Sequence, residues 1–195
     1  MRLIALFLLL ILTVGYSYAQ TFEVGSGVQL YRFKGEVADA AQTGFNYVND
    51  TKFNITAVFL GNIPIKKFDD NMSIGISPNL SLGTFYDIYS ADIPVFATFK
   101  VGTTATKKST KDYGAGFGLG YQFSAVSAVF ANAGYAVNYN TTFFSPVLMA
   151  EASADLQGTI YKLRVDAFLF NYNSFHRRFT GDISQINIRI IKTFL

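Results

Sequence analysis

The 195-residue chain has no cysteine and no tryptophan, one histidine, four prolines and only 15% charged residues. Without cysteine there is no disulfide framework, no thiolate metal site and no thiol for lipid attachment. A single histidine argues against a histidine-built metal centre, and no cofactor is expected. The formal charge of +3 is too small to point to nucleic acid. Average soluble chains carry roughly 25% charged residues, so this one is short of them. Beyond residue 19 no run approaches the ~18 consecutive apolar residues of a transmembrane helix. Yet half the chain is apolar, and it holds 20 Phe, 12 Tyr and 16 Gly. That balance excludes disorder, coiled coil and collagen.

The first nineteen residues read as a segment to be removed. Arg2 gives a positive start, Leu3 to Val14 is uncharged and apolar, and Gly15 breaks the run. Ser17 and Ala19 stand at the −3 and −1 positions of a cut before Gln20, the layout of a secretory signal peptide. The apolar run is too short to span a bilayer, which takes about 20 residues. The expected division is a cleaved leader over 1–19 and a single domain over 20–195.

Period two dominates the rest. Phe22, Val24, Val28 and Leu30 alternate with Glu23, Gly25, Gly27 and Gln29. The same alternation recurs around Phe53–Phe59, Met72–Leu82, Val95–Val101, Tyr113–Phe123, Leu148–Ala154, Tyr161–Leu169 and Ile186–Ile190. This predicts eight strands of roughly ten residues, an even number of long strands behind an export signal. An eight-stranded antiparallel up-and-down transmembrane β-barrel follows. Closure satisfies every backbone group where there is no water, and a secreted sandwich is the competing fold. Outward connections are expected near 34–51, 84–92, 124–146 and 171–184, and periplasmic ones near 61–70, 102–111 and 157–158. Tyr31, Phe33, Phe53, Phe85, Tyr121, Phe123, Phe170 and Tyr172 are expected in an outer aromatic girdle, and Phe22, Phe59 and Phe194 in an inner one. Pro78 and Pro94 predict a bulge or a strand start. Val126 to Val137 reads either as an extension of strand five or as a short helix over the mouth.

The opposite parity falls inside. It carries Glu23, Lys100, Glu151, Asp155, Lys162, Arg164, Asp166 and Arg189, four acids and four bases able to neutralise one another. A two-residue turn at Gln157-Gly158 sets Glu151 opposite Arg164 and Ser153 opposite Lys162, and opposed charges on one sheet face attract. Gly114, Gly116, Gly118 and Gly120 leave room for these long side chains. Eight strands enclose a space that side chains fill, so no open pore is expected.

Three features give the chain a family likeness. They are the start at Gln20 after Tyr-Ala, the strand Gly114-Ala-Gly-Phe-Gly-Leu-Gly-Tyr121, and the ending Ile186-Asn-Ile-Arg-Ile-Ile-Lys-Thr-Phe-Leu195. With these the chain resembles small outer-membrane β-barrel proteins of the OmpX/OmpA-transmembrane-domain type, and more narrowly the outer-membrane β-barrel domain proteins common in Bacteroidetes. The resemblance implies residence in a Gram-negative outer membrane. It also implies delivery to the barrel-assembly machinery through the last strand, where Phe194 supplies the terminal aromatic. Leu195 trailing that aromatic and Lys192 on the apolar face depart from the pattern. Lys192 can snorkel to the headgroups.

Few residues suggest chemistry. Ser174 and His176, with Asp182 as a distant orienter, are all that an acyl-transfer centre would have to draw on. A solvated loop is the stronger reading, and no enzymatic activity is expected. Arg32, Lys34, Lys52, Arg177 and Arg178 converge in sequence on the outer rim, diluted by Glu36, Asp39, Asp50 and Asp182. They form a candidate contact for lipopolysaccharide phosphates, alongside outer-membrane lipid as the general partner. The functional expectation is a non-enzymatic plugged barrel, structural or partner-binding through its outer loops. A narrow solute conduit or transport-complex subunit is the alternative.

Overall fold

The computed structural model describes residues 21–38, 44–106, 108–132 and 135–194. The leader residues 1–19, Asp39 and Leu195 lie outside them. Nine strands run in chain order: β1 Thr21–Ala38, β2 Phe45–Asp69, β3 Met72–Phe85, β4 Ile88–Gly102, β5 Tyr113–Asn132, β6 Tyr135–Leu156, β7 Thr159–Phe168, β8 Tyr172–His176 and β9 Phe179–Phe194. All pairings are antiparallel, and β1 pairs with β9 to close the ring. β7 and β8 lie end to end on the same side of β9 and form one stave interrupted at 169–171. The barrel therefore has eight staves. Following cross-strand partners around the ring from Phe22 leads back to β1 about ten residues higher, a shear that tilts the staves by about 40°.

Alternation holds on every stave, and the apolar set faces outward. Val28, Ile55, Leu82, Leu119, Leu163, Ile186, Ile188 and Ile190 are all exposed on the outer surface. In water such a belt would aggregate; in hydrocarbon it is the solvated face. A Leu163→Arg or Ile188→Arg change should cost about 2–4 kcal/mol near the midplane, read from urea titration in vesicles. Spin labels at 163 and 188 shielded from lipid-soluble quenchers would contradict this orientation.

Several connections are shorter than expected because the strands continue past the belt. The 84–92 connection is a tight turn at Tyr86-Asp87, and 171–184 is β8, the Arg177-Arg178 turn and the upper part of β9. Val126 to Asn132 continues strand five and Tyr135 to Val137 begins strand six. At the other end β2 runs on to Asp69, and Gln157-Gly158 is the expected two-residue turn with φ of 58° and 82°, the left-handed pair of a type I′ hairpin. Pro78 and Pro94 open gaps in the pairing without shifting register. The bulges lie instead between Pro64 and Lys66 and between Lys67 and Asp69.

Above the belt the two faces of the wall exchange character. Outside stand Arg32, Lys34, Asn49, Asn140, Thr142, Asp182 and Ser184. Inside is an apolar cluster that includes Tyr31, Phe33, Val37, Ile88, Phe130, Val137, Tyr139, Phe143, Phe179 and Ile183. The reason is the solvent: where the wall leaves the membrane, water replaces lipid outside and the hydrophobic effect turns inward. This corrects part of the expected girdle. Tyr31 and Phe33 share the inward parity of Gln29 and are fully buried, and Tyr172 stacks on Phe143 with ring centroids 4.3 Å apart. Phe123 packs on Phe144 at 5.1 Å, both on the outward parity.

Candidate functional site

The interior is filled in layers. Nearest the periplasmic end is an ionic layer. Glu151, from β6, accepts hydrogen bonds from Arg164 Nε (3.1 Å) and Nη2 (2.6 Å) on β7. Its other oxygen lies 3.2 Å from Lys100 Nζ and 3.9 Å from Lys162 Nζ. Lys162 donates to Glu23 Oε1 at 2.5 Å. The β6–β7 register explains the first contacts, for Glu151 faces Arg164 and Ser153 faces Lys162. Gly116 is the cross-strand partner of both Lys100 and Glu151. A Cβ there would stand 2.8 Å from Glu151 Cγ and 2.9 Å from its Oε1. Gly116→Ala should therefore cost about 1–3 kcal/mol as overpacking, measurable by the same urea titration.

A second layer lies above. Arg189 Nη1 donates to Asp166 Oδ1 at 2.7 Å, and Asn187 Nδ2 donates to Oδ2 at 2.6 Å. Higher still, Asp92 accepts from Gln29 Nε2 (2.6 Å), Tyr31 OH (2.9 Å) and Gln122 Nε2 (3.0 Å). Asp92 was not among the expected interior acids. Its signal was present: counting back by twos from Lys100 through Thr98, Phe96 and Pro94 reaches it. Taking Pro94 as a strand start hid it in a loop. Conversely, Asp155 is not in the interior network. It sits at the mouth, where its Oδ1 accepts the Gly158 N–H at 2.7 Å and caps the β6–β7 turn. The exchange leaves these layers with four buried acids, Glu23, Asp92, Glu151 and Asp166, and four buried bases, Lys100, Lys162, Arg164 and Arg189, with Lys52 a fifth buried base nearer the outer end.

Buried residues stand at both ends. The apolar cluster fills the outer part. At the periplasmic end Thr103–Thr106 of the β4–β5 connection folds into the mouth, with all four residues buried. Ser73 Oγ donates to Ala105 O at 2.6 Å and Thr106 Oγ1 to Asp70 O at 2.6 Å. Period two gave no hint of this lid, since its residues belong to no strand.

The five basic residues expected on the outer rim do not converge. Lys52 points inward, 6% exposed, because it shares the parity of Asn54; it pairs with Asp87 and, at 2.9 Å, with Asp50, and lies over the Phe130 ring at 5.2 Å. Burial pulls its pKa down, but hydrogen bonds and charges from Asp87 and Asp50 outweigh that and hold it above the ordinary lysine value. Arg32 and Lys34 face outward just above the belt, with Arg32 Nε donating to Asn49 Oδ1 at 3.1 Å. Arg177 and Arg178 form the β8–β9 turn, where Arg178 Nη1 donates to Asn138 O at 2.9 Å.

Ser174 and His176 form no dyad. The Ser174 hydroxyl shares a 2.8 Å hydrogen bond with Tyr139 OH and donates to Phe179 O at 3.2 Å. His176 Nδ1 accepts the Arg178 backbone N–H at 3.2 Å.

No family model matches the chain, and no curated protein does. Among solved structures it is similar in fold to neisserial surface protein A, with 6% identity, a TM-score of 0.49, and 88% of this chain and 95% of that one covered. It is similar to the outer membrane protein OprG from Pseudomonas aeruginosa, with 10% identity, a TM-score of 0.47, and 91% and 97% covered. It is also similar to Ail, the attachment invasion locus protein of Yersinia pestis, with 11% identity, a TM-score of 0.42, and 90% and 99% covered. The closed ring of eight staves, the apolar outer belt and the polar interior make this chain a small integral outer-membrane β-barrel.

Proposed function

We propose that the protein is a non-enzymatic barrel whose interior serves stability and whose protruding outer part serves contact. The observation that carries this reading is the continuous filling of the interior, from the Thr103–Thr106 lid through the ionic and amide layers to the aromatic cluster. A barrel filled in this way holds its shape without offering a path. Planar-bilayer recording of purified protein should show no steady conductance. A reproducible open channel would overturn the plugged reading and favour a solute conduit.

The outward pair Arg32 and Lys34 stands where the headgroups of the outer leaflet begin, and guanidinium and ammonium groups suit their phosphates. With Lys52 turned inward, the lipopolysaccharide contact reduces to this pair, with Arg177 and Arg178 higher on the turn. An Arg32→Gln, Lys34→Gln variant should co-purify with less lipopolysaccharide than wild type, whereas Lys52→Gln should not differ. Equal retention by the double variant would remove the contact.

A further inference from the structure

We infer that the periplasmic mouth contains a binding site for one water molecule, held between Glu23, Thr104 and Thr193, which ties the Thr103–Thr106 lid to the barrel wall. A cavity of about 10 Å³ lies there, lined by these residues together with Asn62 and Lys162. Three oxygens of its lining residues are buried without a hydrogen-bond partner among the described residues: Glu23 Oε2, Thr104 Oγ1 and Thr193 Oγ1. Glu23 is 1% exposed, Thr104 7% and Thr193 6%. They come from three parts of the fold: β1, the lid and β9. A buried carboxylate oxygen and two buried hydroxyls left unsatisfied would each carry the full penalty of their lost hydration.

The size and charge of the site select the occupant. The volume fits about one water and nothing larger. A cation is disfavoured because Lys162 Nζ already lies 2.5 Å from the other oxygen of the same carboxylate. An anion is disfavoured by the Glu23 carboxylate among the lining groups. A neutral molecule that donates to Glu23 and exchanges hydrogen bonds with two hydroxyls satisfies all three groups, and water is the smallest that does so. Its consequence is mechanical. The direct side-chain hydrogen bonds that hold the lid run to Ser73, to Asn62 at a long 3.5 Å and from Thr106 to the Asp70 carbonyl, all on the β2–β3 side of the mouth. The water supplies a further tie, to the neighbouring staves β1 and β9.

A high-resolution crystal structure of the full chain should show one solvent peak within hydrogen-bonding distance of the three oxygens. The isosteric Thr104→Val, Thr193→Val double variant should lack it. The Thr103 and Ala105 backbone N–H groups bond Tyr113 O and Gly102 O in the folded lid. In the double variant they should exchange with solvent roughly tenfold faster, while amides of β6 and β7 remain unchanged and report an intact barrel. A single Thr193→Val variant, which leaves the lid sequence alone, should move lid exchange in the same direction. The inference is overturned by a wild-type site without a solvent peak, by density that refines as a metal ion, or by lid exchange unaltered in both variants.

Discussion

Replacing Glu151 by Gln should be the most damaging single change in the ionic layer, costing about 3–5 kcal/mol in reversible urea unfolding from lipid vesicles. Glu151 is the partner of two cations at once, Arg164 at 2.6 Å and Lys100 at 3.2 Å, with Lys162 at 3.9 Å as a third neighbour. Removing its charge leaves the Arg164 guanidinium and the Lys100 ammonium buried, with 0% and 1% exposure. Lys162 is spared, because Glu23 holds it. Removing Arg164 instead leaves Glu151 still facing Lys100, so Arg164→Gln should cost less than Glu151→Gln. The combination of Glu151→Gln and Arg164→Gln should recover part of the loss by removing one stranded cation, although Lys100 stays unpaired. Adding Lys100→Met to that pair should recover more, since a buried ion and its partners can be replaced by groups of similar volume at little cost. Equal stability of Glu151→Gln and wild type would mean that the layer is water-filled and screened rather than dry.

The sequence made the barrel legible because the physics of its wall is one-dimensional. Each stave alternates between two solvents, so period two, a two-residue turn at Gln157-Gly158 and a shared register are enough to place Glu151 across from Arg164. The same reasoning failed wherever that rule changes. Tyr31 and Phe33 look like girdle residues because they are aromatic and close to the end of the apolar run. Their inward parity was in the sequence, but nothing local shows that the strand continues into water, where an aromatic belongs inside. Lys52 misled in the same way: it is charged and near the rim, and its parity with Asn54 outweighs both. Asp155 has the parity of Glu151 and Ser153, but it sits one residue from the end of its strand, where a carboxylate meets turn amides before it meets the lumen. The lid at Thr103–Thr106 was beyond reach, since a loop that folds back carries no periodic signature and its burial depends on Ser73 and Asn62 from elsewhere in the chain.

The exchange of faces above the membrane leads to the other large effect. Phe33 is fully buried at the centre of the outer cluster, edge-on to Phe130 at 5.1 Å and to Phe179 at 5.7 Å. Around that cluster the wall is incomplete. β6 pairs with β7 only from Val147 downward, and β8 pairs with β9 alone, so no backbone ladder joins β6 to β8. Side chains bridge that seam: Phe143 against Tyr172, Tyr139 OH with Ser174 Oγ at 2.8 Å, and Arg178 to Asn138 O. In the membrane, hydrogen-bonded closure holds the wall together whatever the interior contains; above it, packing has to do so. Phe33→Ala should therefore cost about 3–5 kcal/mol, the range for a large buried aromatic. The loss should be local rather than global. Backbone amides of Val137 to Phe143 and of β8 should lose exchange protection and the outer turns should become sensitive to added protease, while Leu163 to Val165 and Ile186 to Ile190 stay protected by lipid and by their ladders. Uniform loss of protection along β9, from Phe179 down to Ile190, would show instead that the outer cluster and the membrane barrel fold as one unit.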